Sequence, residues 1–265
     1  MSSVNAQRVS EVTERETARF RAERPKSMAL LNRAQRTMPN GVPMTWMNFF
    51  YPTGSFVVAH AQGAYLTDID GHRYLDMNLA DTSMATGYGL ESVAEAVDGQ
   101  FRKGSQMLLP TEETVDVTEE LAHRFGLPFW QFTLAASNAN LEAMRIARAK
   151  TGCDKVLLFD GKYHGMLDEC LHYLDDGEIV PESIGLPPRA AENTLLVQYN
   201  DLAAVERVLS RNEIACVLVE PAVTNVGGVI MPDEVFHAGL RELTRKYDTL
   251  LILDEAHTHV CAYAV

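Results

Sequence analysis

The chain has 265 residues, 46% of them apolar and 22% charged, a globular composition that excludes a disordered or fibrous protein. Its formal net charge of −13 repels polyphosphate and argues against nucleic acid or an anionic membrane as the main partner. No apolar run is long enough to span a bilayer. Near the N-terminus Arg8, Arg15, Arg19, Arg21 and Arg24 alternate with Glu11, Glu14, Glu16 and Glu23, where a secretory signal would be apolar. The scattered Cys153, Cys170, Cys216 and Cys261 read as reduced thiols, so the expected compartment is the cytoplasm.

In chain order, the spacing predicts a solvated helix from about Ser10 to Met38, stopped by the turn signal Pro39-Asn40-Gly41. Residues 55–78 alternate in the manner of a β-meander, with a tight hairpin turn at Asp70-Gly71. Helical patterns at 91–103 and 112–126 lead into an alternation of short apolar runs (130–134, 155–159, 194–197, 215–219, 249–253) with helical patterns (139–151, 200–211, 233–247). Residues 160–193 read as loop. Strands apolar throughout and separated by helices predict an α/β fold, with a mostly parallel sheet covered on both faces. The boundary is expected between an N-terminal helix and β-meander segment, 1–78, and a larger domain, 79–265.

Ligands of such sheets collect beyond the carboxyl ends of the strands. After the first apolar run comes Ala135-Ala136-Ser137-Asn138-Ala139-Asn140, which opens a helix whose amides and hydroxyl suit a phosphate, or which is simply a Ser/Asn cap. After the second comes Asp160-Gly161-Lys162-Tyr163-His164-Gly165, in which Tyr163 either stacks on a planar ligand or merely packs. Glu220 ends the fourth run, either as a site carboxylate or as a loop acid.

The last run, Leu250-Leu251-Ile252-Leu253, ends in Asp254, where desolvation costs several kcal/mol unless a cation or donor meets the carboxylate. Three partners fit that demand. Magnesium nucleotide chemistry would use Asp254-Glu255-Ala256-His257, but it also needs a G-x-x-x-x-G-K-[ST] loop, and the chain has none. A metal site would use His257, His259 and Cys261, which an extended strand would put on one face. A protonated heterocycle nitrogen is the third, the arrangement by which proteins hold pyridoxal phosphate as an electron sink.

These segments, taken together, resemble the class III aminotransferases among the fold-type I pyridoxal-phosphate enzymes, in the group similar to glutamate-1-semialdehyde aminomutase. The resemblance runs through Pro39-Asn40-Gly41-Val42, the Tyr65–Asp76 hairpin, the 135–140 turn with Arg145–Gly152 behind it, Tyr163-His164-Gly165, Tyr199-Asn200-Asp201-Leu202, Glu220-Pro221 with Asn225, and Asp254-Glu255-Ala256-His257-Thr258. It implies a three-layer, mostly parallel large domain and pyridoxal 5'-phosphate as cofactor. The implied contacts are the Ala136 and Ser137 amides on the phosphate, Tyr163 stacked on the ring, Asp254 on the ring nitrogen, Ala256 under the other ring face and His257 near the 3-hydroxyl. Glu220 is implied as a structural acid beside them. A homodimer acting on an amino acid and an oxo acid is the implied assembly and chemistry.

The chain also departs from that pattern. Ala135 and Ala136 stand where the family has Ser and Gly, and Pro43-Met44-Thr45-Trp46-Met47 replaces the stretch that carries the aminomutase's carboxylate-binding Arg. The family's Schiff-base lysine lies in a later segment. None of Lys26, Lys103, Lys150, Lys155, Lys162 and Lys246 matches it, and each reads as a surface charge. The expectation is therefore a chain lacking the C-terminal part of the fold and the catalytic lysine, inactive alone. Its full-length parent would transfer an amino group on an amino acid, or the chain would serve only as a noncatalytic dimerisation partner.

Overall fold

Residues 5–50, 54–225 and 228–259 are described by a computed structural model, in which the chain separates into two units, Met1–Leu108 and Leu109–Val265. In the first unit the expected single helix is two, α1 (Ala6–Ala22) and α2 (Pro25–Ala34). Pro25 is the reason, because it has no N–H to continue a helix but suits the first position of a new one. A short turn at Pro39–Gly41 follows, and then α3 (Trp46–Phe50). The meander forms as expected, with β1 (Val58–Gln62), β2 (Tyr65–Asp68) and β3 (Arg73–Leu75) antiparallel in that order and Gly71 at φ +97° in the last turn. Helix α4 (Glu91–Lys103), expected with the larger domain, falls in this first unit.

A buried carboxylate organises the meander. Asp68 accepts hydrogen bonds from Tyr74 Oη (2.6 Å), the His72 amide (2.8 Å) and the Asp70 amide (3.0 Å), and its Oδ2 lies 3.0 Å from His72 Nδ1. Arg24, read from sequence as one of the solvated charges, is instead buried. Its Nε donates to Tyr74 Oη at 2.8 Å, and its guanidinium lies over the Phe20 ring. Asp70 completes the tie by accepting from the Lys26 and Ser27 amides at the start of α2.

The second unit opens with α5 (Glu112–Phe125), started by a Thr111/Thr114 capping box. Residues 130–134, expected as a strand, have no strand pairing among the described residues, and Phe132 and Leu134 are exposed. An apolar run becomes a strand only where a neighbour offers its backbone groups. Then come α6 (Ala136–Thr151), β4 (Lys155–Phe159), β5 (His172–Asp175), β6 (Glu178–Pro181), β7 (Thr194–Val197), α7 (Leu202–Leu209), β8 (Ile214–Val219), α8 (Phe236–Lys246) and β9 (Leu250–Leu253). Strands β7, β4, β8 and β9 form a fully parallel sheet in that order. The β5–β6 hairpin interrupts the expected 160–193 loop, turning on Asp176 (φ +47°) and Gly177 (φ +85°), the pairing that two-residue hairpin turns favour.

Period-two alternation assigns the two faces of the sheet. Leu157, Phe159, Val197, Val217 and Val219 pack with Val205 and Leu209 of α7 and Phe236 and Leu240 of α8. Val156, Leu158, Leu196, Cys216 and Leu218 pack with Met144 and Ala147 of α6. Strand β8 is buried at every position. A shift in its register against β4 puts Ala215 in the α6 cluster beside Cys216, where strict alternation would send it to the other face.

The Asp68 network yields a test. Burial pushes the Asp68 carboxyl upward, but its hydrogen bonds from Tyr74 and His72 outweigh this and hold it at about 2. A carboxylate with a depressed folded pKa contributes stability above its unfolded value of about 3.9, and that contribution is lost as pH falls toward 2. Asp68→Asn is expected to lower the opening free energy of the β2 and β3 amides by roughly 3 kcal/mol near neutral pH. Hydrogen exchange measures it, and the gap between parent and variant should close between about pH 4 and pH 2.

Candidate functional site

The carboxyl ends of β4, β8 and β9 and the N-terminal half of α6 meet at one buried carboxylate. Asp254 follows β9 directly, its amide donating to the Val219 carbonyl of β8 at 2.8 Å. Its side chain is 6% exposed. Oδ2 lies 2.8 Å from His164 Nδ1 and accepts from Asn140 Nδ2 at 2.8 Å, while Oδ1 accepts from the Ala256 amide at 3.1 Å. A carboxylate only accepts, so His164 carries its proton on Nδ1. Burial pushes the Asp254 carboxyl up, but the His164 hydrogen bond and charge, with Asn140 and the Ala256 amide, more than offset this and hold it below the usual range. Asp254 is therefore ionised at neutral pH.

The sequence reading sought a cation for Asp254 outside the chain and passed over these two partners within it. Asn140 had a legible signal: with Met144 and Ala147 it forms the buried stripe of α6, a polar residue at a core position. It also donates to the His164 carbonyl at 3.1 Å, which ties the helix to the loop after β4. His164 is 1% exposed, and its Nε2 is buried with no hydrogen-bond partner among the described residues.

Loop residues 162–166 reach the other elements in turn. The Tyr163 amide donates to Glu220 Oε1 at 2.9 Å, and Glu220 is buried at the end of β8, so here it holds the loop. The Tyr163 ring itself stays 42% exposed, open to a stacking partner. Gly165, at φ +90°, lies against Ser137, where a Cβ would come within 2.9 Å of Ser137 Cα and overlap its hydroxyl. The Met166 amide donates to Ser137 Oγ at 3.2 Å. Ala136 and Ser137 occupy the first turn of α6, where backbone amides have no intrahelical acceptor.

Glu220 Oε2 accepts from the amide and hydroxyl of Thr224, each at 3.2 Å, and Thr224 Oγ1 lies 2.8 Å from His257 Nδ1. Asn225 Nδ2 lies 3.4 Å from the same nitrogen. The loop 163–166 thus ties Glu220, Asp254 and Ser137 together, with Ala256 bonded to Asp254, His257 reached through Thr224, and Ala136 adjoining Ser137 in the chain.

Two expectations change. Lys162, read as a surface charge, is 2% exposed, with Nζ donating to the His172 carbonyl and paired with Glu182 at 2.8 Å. The metal reading needed an extended strand through His257 and His259, whereas β9 ends at Leu253 and the His259 amide bonds back to the Glu255 carbonyl at 3.1 Å, in a turn. His259 packs against Phe125 with the rings tilted by 39°, away from the Thr224 contact of His257. Cys261 lies outside the described residues, among which no group of three His, Cys, Asp or Glu side chains is placed to hold a metal ion. Thiolate chemistry is also disfavoured at Cys170 and Cys216, whose thiols burial pushes up to about 12.

Comparison with known proteins gives this arrangement relatives. The glutamate-1-semialdehyde 2,1-aminomutase of Methanocaldococcus jannaschii is 36% identical over 239 residues, covering 88% of this chain and 55% of its own. The crystal structure of a glutamate-1-semialdehyde-aminomutase from Pseudomonas aeruginosa PAO1 superposes with a TM-score of 0.92 at 42% identity, over 98% of this chain and 58% of that one. A variant of the latter was solved in complex with PMP. A β-phenylalanine aminotransferase from Variovorax paradoxus superposes with a TM-score of 0.85 at 26% identity, over 97% of this chain and 57% of that one. The chain spans little more than half the length of these relatives. The family model described as Aminotransferase class-III matches residues 50–262, and with that match over most of its length the chain belongs to the class III aminotransferase family.

Proposed function

We propose that this chain carries the cofactor-holding half of a pyridoxal-phosphate-dependent enzyme that transfers an amino group between an amino acid and an oxo acid. The observation that carries the reading is the buried, ionised Asp254, held by His164 and Asn140 beside an exposed aromatic ring and a free helix start. When bound, pyridoxal phosphate supplies an electron sink for carbanion chemistry at the α-carbon of an amino acid.

The residues present fit such a group. The Ala136 and Ser137 amides at the start of α6 would hold the phosphate, aided by the helix dipole. Asp254 would keep a ring nitrogen protonated, since its own proton is already lost in the folded state. Tyr163 would cover one ring face and Ala256 the other, with His257 toward the 3-hydroxyl. Glu220 would set Tyr163 by holding its amide.

Substrate and assembly belong to the same proposal. Where the aminomutase pattern carries a carboxylate-binding Arg the sequence has Pro43-Met44-Thr45-Trp46-Met47, with no cation, and that departure in sequence favours an apolar substrate side chain over the aminomutase reaction. A homodimer is supported by the stripe Val93, Val97 and Phe101 on α4, exposed at helical spacing within the first unit. A cytoplasmic setting is supported by the free thiols of Cys153, Cys170 and Cys216. No helix among the described residues is long and apolar enough to cross a membrane.

Titration of the purified chain with pyridoxal phosphate tests the reading. A saturable absorbance change is expected, at least about tenfold weaker in Asp254→Asn; the absence of any saturable change in the parent chain overturns the proposal. The phosphate turn is tested separately. Gly165→Ala displaces Ser137, and it is expected to weaken pyridoxal phosphate by about tenfold while leaving unphosphorylated pyridoxal unchanged. An equal loss for both ligands would place the effect outside the phosphate turn.

A further inference from the structure

Lys162 stands out because it is a buried cation that the proposed chemistry does not use. Its side chain is 1% exposed, and its ammonium meets the His172 carbonyl and Glu182 Oε1 (2.8 Å), both in the β5–β6 hairpin region. Burying an ammonium is costly unless it is paired, so the contact fixes the loop after β4 against that hairpin with little freedom. The hairpin is itself anchored, because the Leu174 amide donates to Asp160 Oδ1 at 2.9 Å, two residues before Lys162.

The next three residues give the Lys162 contact its meaning. Tyr163 is fixed by Glu220, His164 by Asp254 and Gly165 by Ser137, all within three residues of the ammonium-bearing position. Burial alternates over Lys162, Tyr163 and His164, with Lys162 and His164 directed inward and Tyr163 outward. Shifting Lys162 by one position would turn His164 outward and Tyr163 inward, so the inward grip of Lys162 sets the register in which His164 finds Asp254.

We propose that Lys162 is a positioning residue for the cofactor site: by binding Glu182 and the His172 carbonyl, it sets the register of loop 162–166 and so holds His164 on Asp254. The proposal rests on the pyridoxal-phosphate reading only for its consequence in binding. Its first effect lies in the chain itself, at the ring of His164.

The test uses the full chain with Lys162→Met, Glu182→Gln and the double variant. Nitrogen-15 NMR of the histidine rings reports the tautomer of His164, assigned by loss of its signals in His164→Gln. The parent is expected to show the Nδ1-protonated form. Lys162→Met and Glu182→Gln are each expected to give a mixed, solvent-like ring signal and about tenfold weaker pyridoxal phosphate binding, with the double variant no worse than either alone. A purely structural role would lower the melting temperature and leave the His164 signal as in the parent, and that result overturns the proposal. If Lys162→Met does not fold, Glu182→Gln decides, since Glu182 is partly exposed and its exchange leaves the carbonyl contact in place. If the parent binds no pyridoxal phosphate, the functional reading fails, while the His164 signal still judges Lys162.

Discussion

The second unit is arranged around the cost of keeping a negative charge buried just beyond the end of a parallel strand. Asp254 closes an apolar run in a parallel sheet, a place where an unmet carboxylate costs several kcal/mol. Three donors answer it, His164 Nδ1, Asn140 Nδ2 and the Ala256 amide. Hydrogen bonds to a charged group contribute roughly 1.5 to 3 kcal/mol each, enough together to offset such a penalty. These donors come from α6, from the loop after β4 and from the turn after β9, so the carboxylate can be satisfied only when those elements have assembled. Local electrostatics and tertiary structure are therefore the same constraint seen at two scales.

The sheet supplies the frame for that convergence. Order β7-β4-β8-β9 places β4 and β8 in the interior and directs the carboxyl ends of β4, β8 and β9 to one edge. Alternation along β4 sends Leu157 and Phe159 toward α7 and α8, and Val156 and Leu158 toward α6. Helix α6 then lies on the face from which Asn140 reaches both Asp254 and the His164 carbonyl. A polar residue in the stripe Asn140, Met144, Ala147 thus joins core packing to the chemistry at the strand ends.

Much of this was legible in the sequence, and what was not has physical causes. Short apolar runs between helical patterns sufficed to place β4, β7, β8 and β9: β4, β7 and β8 are largely buried parallel strands, which carry a strong compositional signal, and β9 keeps the same apolar run although it is only partly covered. Asp254 was legible as a charge needing a partner, but its partners lie 90 and 114 residues away, and pairings at that separation leave no local periodicity. The β5–β6 hairpin was missed although Asp176-Gly177 marks it, since its flanking strands are short and only one of their residues, His172, is buried. Lys162 and Arg24 were misread for a common reason: charge predicts exposure until a buried acceptor is known, and Glu182 and Tyr74 are remote in sequence.

Residues 129–134 and strand β9 are more apolar than their surroundings require. Phe129, Phe132 and Leu134 are largely exposed, and Leu250 and Leu253 are partly so, although β8 beside them is buried throughout. Among the described residues β9 has a partner on one side only, which leaves the other row of its backbone groups unpaired. An apolar strand at a sheet edge with one row of backbone groups unpaired is a surface that favours further burial. The same edge carries Asp254, so whatever covers it would further shield the carboxylate and strengthen its hydrogen bonds to His164 and Asn140. Cover at this edge and charge at the site are thereby coupled, and the interactions that hold Asp254 ionised are those that gain most as solvent is excluded.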